Sequence, residues 1–78
     1  MPEMPNIQLE ILKWVNEHAD EAYDSVNLRE FAAQSEYTEN RVAKKAADTG
    51  VLGWGTSVMY PWYKDKEDLT ERIDELSN

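Results

Sequence analysis

Two short apolar stripes, a polar break between them and a glycine stop occupy residues 28–52, LREFAAQSEYTENRVAKKAADTGVL, and they narrow the folds open to this chain. Each stripe suits a helix of only two or three turns, and helices that short hold together only around a shared core. Asn27 can accept an early amide of the first helix, and Glu30, three residues on, can reach back to the Asn27 amide as in a capping box. Leu28, Phe31 and Ala32 then fall at i, i+3 and i+4, on one face. Ser35, Glu36 and Tyr37 break the pattern. Thr38 follows as the N-cap of a second helix over 39–49, and Gly50 supplies its left-handed stop. In this second helix Val42, Ala46 and Thr49 point inward at i, i+4 and i+7. Asn40, Lys44 and Ala47 lie nearly opposite Val42, with Arg41 and Asp48 on one flank.

The flanking sequence supplies two more helices. Pro5 and Asn6 signal a start, and Ile7, Ile11, Val15 and Ala19 form a stripe widened by Leu12 and Trp14. That places a helix from about Ile7 to His18. At the other end Asp65 can cap a helix, Glu67 and Asp68 suit the positive end of its dipole, and Leu69, Ile73 and Leu76 repeat at i, i+4 and i+7. This last stripe has two uses. It can dock on the domain's own aromatic strands, or it can pair with the same helix of a second subunit, since its spacing also reads as part of a heptad. Residues 1–5 carry little information and are expected to be disordered.

Between the glycine stop and the last helix, residues 51–54 and 58–63 are β-rich runs separated by Gly55, Thr56 and Ser57, which reads as a hairpin. Pro61 cannot donate a ladder hydrogen bond, so its strand should be an edge. Residues 25–27 could add a short strand with Val26 buried. Trp54, Tyr60, Trp62 and Tyr63 lie in or beside the hairpin. Interleaved aromatics can stack bases in single-strand binders, but in a chain this small the expected use is packing against Trp14, Phe31 and the tail helix.

At these residues the chain resembles the winged helix-turn-helix DNA-binding domains. The likeness rests on Leu28 opening the first helix, Ala32 four residues on, Tyr37 in the turn, the capping hydroxyl of Thr38, Val42, and the closing Gly50, Val51 and Leu52. It covers residues 7–63 once the first helix is included, with the hairpin as the wing. The sequence departs from the family pattern at Glu36, where glycine is most common, and at Ala46 and Thr49, which are usually leucine; the smaller pair allows tighter helix packing. The resemblance implies a mainly α fold with a small β-hairpin (α+β), a winged helix-turn-helix domain over 6–64, and an added amphipathic helix over 65–78 for docking or dimerisation.

Seventy-eight residues make one small domain with a single core. Without cysteine there is neither a disulfide framework nor a thiolate zinc site, and a reducing cytoplasm is the natural compartment. Residues 1–8 lack the basic and apolar regions of a signal peptide, and no apolar run approaches the roughly 20 residues that span a bilayer. No metal, cofactor or membrane is expected. His18 stands alone and suits the negative end of the first helix; no phosphate loop or HExxH pattern occurs, and the carboxylates show no spacing of a paired acid and base. The chain reads as a protein without enzymatic activity.

The net charge of −8 is unevenly spread. Residues 1–26 hold six acids and one lysine, and residues 67–78 hold five acids and Arg72. Residues 27–66 carry five acids against six bases, Arg29, Arg41, Lys44, Lys45, Lys64 and Lys66, and so come to +1. A face built from Arg41, Lys44, Lys45, Lys64 and Lys66 could neutralise a few phosphates against the field of the flanks, although solvated surface is the ordinary place for lysines.

On the resemblance, double-stranded DNA is the partner and the function is transcriptional regulation. Thr38 and the first amides of its helix would meet a phosphate, besides capping. Asn40, Arg41 and Lys44 are candidates for base edges in the major groove, where asparagine suits adenine and arginine or lysine suits guanine. Thr56 and Ser57 at the hairpin tip, with Lys64, would reach the backbone beside it. Leu69, Ile73 and Leu76 would join two copies in a homodimer. The reading from a different class is an acidic module that binds a protein partner, including an inhibitor whose carboxylates imitate DNA.

Overall fold

A computed structural model describes residues 6–77; the stretch 1–5 lies outside them. Four helices and a minimal hairpin make up the described residues, in the order α1 (Ile7–His18), α2 (Leu28–Gln34), α3 (Glu39–Asp48), β1 (Leu52–Gly53), β2 (Trp62–Tyr63) and α4 (Lys66–Ser77). Each helix starts where a short polar side chain can satisfy its first amides. Asn6 accepts from the Leu9 amide at 3.1 Å, Thr38 from Arg41 at 3.2 Å, and Asp65 from Glu67 at 2.8 Å. Asn27 accepts from both Arg29 (3.0 Å) and Glu30 (3.3 Å). Glu30 contributes its amide to this cap and not the side-chain return bond of a full capping box. At the end of α3, Gly50 takes φ +79°, the left-handed conformation expected of it.

α1 is the spine. Ile11, Leu12 and Val15 are fully buried along it, α3 packs on one side and α4 on another, and α2 closes against both α1 and α3. Leu28, Phe31 and Ala32 from α2 and Val42 and Ala46 from α3 complete the core as the stripes require. Thr49 is buried, with its hydroxyl donating to the Ala46 carbonyl at 2.9 Å. α4 rests chiefly on α1, not on the aromatic strands. Leu69 is fully buried there and leaves no surface for a second subunit, while Ile73 and Leu76 are half-buried against the core.

The hairpin is shorter than its composition suggests. Antiparallel pairing is confined to Leu52 with Tyr63 and Gly53 with Trp62. Residues 58–60 form a turn, with the Tyr60 amide donating to the Ser57 carbonyl at 3.1 Å and the Met59 amide to the Ser57 hydroxyl at 3.2 Å. Pro61 directly precedes β2, which is an edge of the two-stranded sheet, and is itself buried, with the Val26 amide donating to its carbonyl. In that flank Tyr23 donates to the Tyr63 carbonyl, Val26 to Pro61 and Leu28 to Met59, each at 2.9 Å. The expected contribution of residues 25–27 is thus a run of antiparallel hydrogen bonds with Val26 buried, without a regular strand.

The aromatic residues divide. Tyr63 is buried and Trp62 half-buried, but Trp54 and Tyr60 remain exposed, contrary to the expectation that all four pack inward. Trp14 meets Phe31 at 5.6 Å between ring centroids and stacks on His18 at 3.9 Å. The His18 Nδ1 donates to the Trp14 carbonyl at 2.9 Å, so the histidine serves the end of α1.

Candidate nucleic-acid interface

α3 reaches the surface in a fixed rotational phase. Burial of Val42, Ala46 and Thr49 turns the remaining arc outward, and Glu39, Asn40, Arg41, Lys44, Ala47 and Asp48 are all exposed. Asn40, Arg41, Lys44 and Ala47 form a polar, partly basic patch with small relief, and Glu39 and Asp48 mark the two ends of the helix. Lys45 is half-buried toward the side, and Ala43 packs against the core. Thr38 is exposed, with its hydroxyl already accepting from Arg41; a phosphate at this end would meet the amides that the cap leaves over.

The N-terminal end of α3 is tied to α1 through one tyrosine. Tyr37 donates its hydroxyl to the Glu10 carboxylate at 2.5 Å, and the Arg41 guanidinium lies over the Tyr37 ring, 5.6 Å from its centroid. The hydrogen bond to Glu10 holds the Tyr37 phenol above its ordinary value of 10.0, with slight burial and the charges of Glu10 and Glu36 acting in the same sense and Arg41 opposing. The Tyr37 ring thus gives the Arg41 guanidinium a packing partner at the start of α3.

The hairpin residues fare differently. Thr56 is exposed, whereas Ser57 is half-buried and its hydroxyl accepts the Met59 amide, which leaves its O–H to donate. Eight residues, 54–61, separate the two strands, in place of the three-residue tip read from the sequence. Lys64 is exposed, and its stem shares the space over Gly53 with the Nε1 edge of Trp62; a Cβ on Gly53 would come within 2.8 Å of that nitrogen and 3.0 Å of Lys64 Cε. Lys66 does not join the basic face. Its ammonium donates to Asn16 on α1 and lies 5.4 Å from the Tyr63 ring centroid, which fastens the start of α4 to the spine. Arg29 is likewise engaged over Tyr60, at 5.9 Å.

Among the described residues no cluster of His, Cys, Asp or Glu could hold a metal ion, and no helix is long and apolar enough to cross a membrane. A recess beside α4, lined by Val51, Asp68, Glu71, Arg72 and Glu75, is open and polar, with the Arg72 Nε 3.4 Å from the Glu75 carboxylate. Comparison of the chain with protein-family models, with curated proteins and with solved structures finds no match.

Proposed function

We propose that the chain is a small DNA-binding regulator of winged helix-turn-helix type, with α3 lying in the major groove. The observation that carries this reading is the outward arc of α3, where Asn40, Arg41 and Lys44 stand exposed around Ala47. The succession of α2, α3 and a hairpin, with the flank 23–28 hydrogen-bonded to the hairpin's second half, also agrees with a winged arrangement. Arg41 and Lys44 contact base edges in this reading, Asn40 suits adenine, and Thr38, Lys45, Thr56 and Lys64 lie on the phosphates. Pairing of two copies through the outer surfaces of Ile73 and Leu76 is the homodimer that belongs to this reading. Sedimentation equilibrium checks this, and a monomer at every concentration removes the dimer from the proposal.

The test is fluorescence anisotropy of a labelled mixed-sequence duplex across a salt series, with the wild type and an Arg41→Ala, Lys44→Ala double variant. Wild-type affinity should fall steeply with salt, and the double variant should bind roughly tenfold or more weakly while melting at the same temperature. Equal affinity of the two proteins removes α3 as the reading helix. No binding even at low salt transfers the function to the acidic protein-binding module, whose candidate surface is the exposed row Glu67, Asp68, Glu71, Asp74 and Glu75 on α4.

A further inference from the structure

Tyr23 occupies a backbone position that does not suit it. Its φ is +69°, in the left-handed region where a bulky side chain is an outlier. It is the third residue of a turn closed by the Asp24 amide donating to the Glu21 carbonyl at 3.2 Å, the turn position at which a positive φ calls for glycine or asparagine. The Asp24 carboxylate tightens the same turn by accepting the amides of Asp20 (3.1 Å) and Glu21 (3.3 Å). What the fold uses here is backbone, including the Tyr23 amide that donates to the Tyr63 carbonyl. The ring is 65% exposed, beside half-buried Trp62 with centroids 6.5 Å apart, so burial does not account for its presence.

The other tyrosines supply the second observation. Of the four in the chain, Tyr37, Tyr60 and Tyr63 each carry a basic side chain of the same chain over the ring, Arg41, Arg29 and Lys66 respectively. Among the described residues, no such cation lies over Tyr23. Glu21 of its own turn and the preceding Asp20 are exposed carboxylates, while the Asp24 carboxylate accepts the Asp20 and Glu21 amides. A bare aromatic face in an acid-rich turn is complementary to a guanidinium, which is planar, weakly hydrated and stacks on rings more readily than an ammonium does.

We propose that Tyr23 and Trp62 form a docking surface for an arginine-bearing segment of a partner protein. The surface is separate from the outward arc of α3, and the proposal does not depend on DNA binding.

The experiment measures anisotropy of a labelled oligo-arginine peptide, with oligo-lysine of the same length as competitor, at a salt concentration that screens diffuse attraction to the acidic chain. Tyr23→Gly and Tyr23→Asn remove the ring, change no charge and relieve the backbone. Both should bind roughly tenfold more weakly with an unchanged or higher melting temperature, while Tyr23→Phe and the Arg41→Ala, Lys44→Ala variant should bind as the wild type does. Arginine should outcompete lysine. Undiminished binding in Tyr23→Gly, or no preference for arginine, overturns the proposal, as does a steep fall in melting temperature in both ring-less variants, which would assign the ring to the fold.

Discussion

α3 and α4 are built alike but expose different charge to solvent. Each begins at a capping side chain, Thr38 or Asp65, each lays an apolar stripe on the spine α1, and each leaves an arc of charged residues outside. The stripes differ in size. α3 buries Val42, Ala46 and Thr49, small enough to seat the helix closely between α1 and α2, whereas α4 depends on the single fully buried Leu69, supported by half-buried Ile73 and Leu76. The outer arcs differ in charge: α3 exposes Arg41 and Lys44 between Glu39 and Asp48 at its two ends, whereas α4 exposes five carboxylates. Two helices packed on the same core helix thus present unlike charge to solvent, and a net charge of −8 gives no guide to either arc alone.

The comparison can be broken most severely at Leu69. Leu69→Ala should cost about 2–5 kcal/mol, because the cavity opens under the only fully buried side chain of α4. Urea denaturation measures it, and a loss well below that range would mean that α4 contributes little to the fold and that its carboxylates are not held against the spine. Removal of the caps sharpens the likeness between the two helices. Thr38→Ala and Asp65→Ala should each cost about 1 kcal/mol in the same measurement. A much smaller loss at Asp65 would make the start of α4 depend on the tether from Lys66 to Asn16 instead.

The smallest expected effect is at Tyr37, whose phenol joins the turn before α3 to Glu10 on the spine. Its folded-state value is raised, so the stabilisation from this hydrogen bond is fully present below pH 10.0, the unfolded value, and disappears as pH rises through the higher folded value. Ultraviolet titration should show one phenol ionising late, and Glu10→Gln should lower its midpoint. An unshifted midpoint in that variant would remove Glu10 as the cause.

The helices were legible because their signals are local. Asn27, Thr38 and Asp65 mark starts, Gly50 marks a stop, and the phase of Val42 and Ala46 determines which residues of α3 face out, so the arc of Asn40, Arg41 and Lys44 follows from spacing alone. The hairpin was not legible in the same way. Residues 58–63 have strand-forming composition, yet Ser57 draws the Met59 and Tyr60 amides into a turn, and Met59 and Pro61 are taken into the core beside the flank 23–28. Side-chain commitments across long stretches of chain were also out of reach. Lys66 reads as a free base until Asn16 and Tyr63 are beside it, and nothing in the local sequence distinguishes the exposed ring of Tyr23 from the buried ring of Tyr63.

The three hydrogen bonds from residues 23–28 to residues 59–63 have a mechanical meaning. They join the two ends of everything between Leu28 and Met59, so that α2, α3 and β1 lie within one closed ring of chain, with α2 and α3 against α1. This staple shortens the free chain that links α2 and α3 to the rest of the molecule and so lowers the entropy they would gain by detaching. Release of the ring would be a single cooperative opening, timed by exchange of the Val26 and Leu28 amides with solvent deuterium.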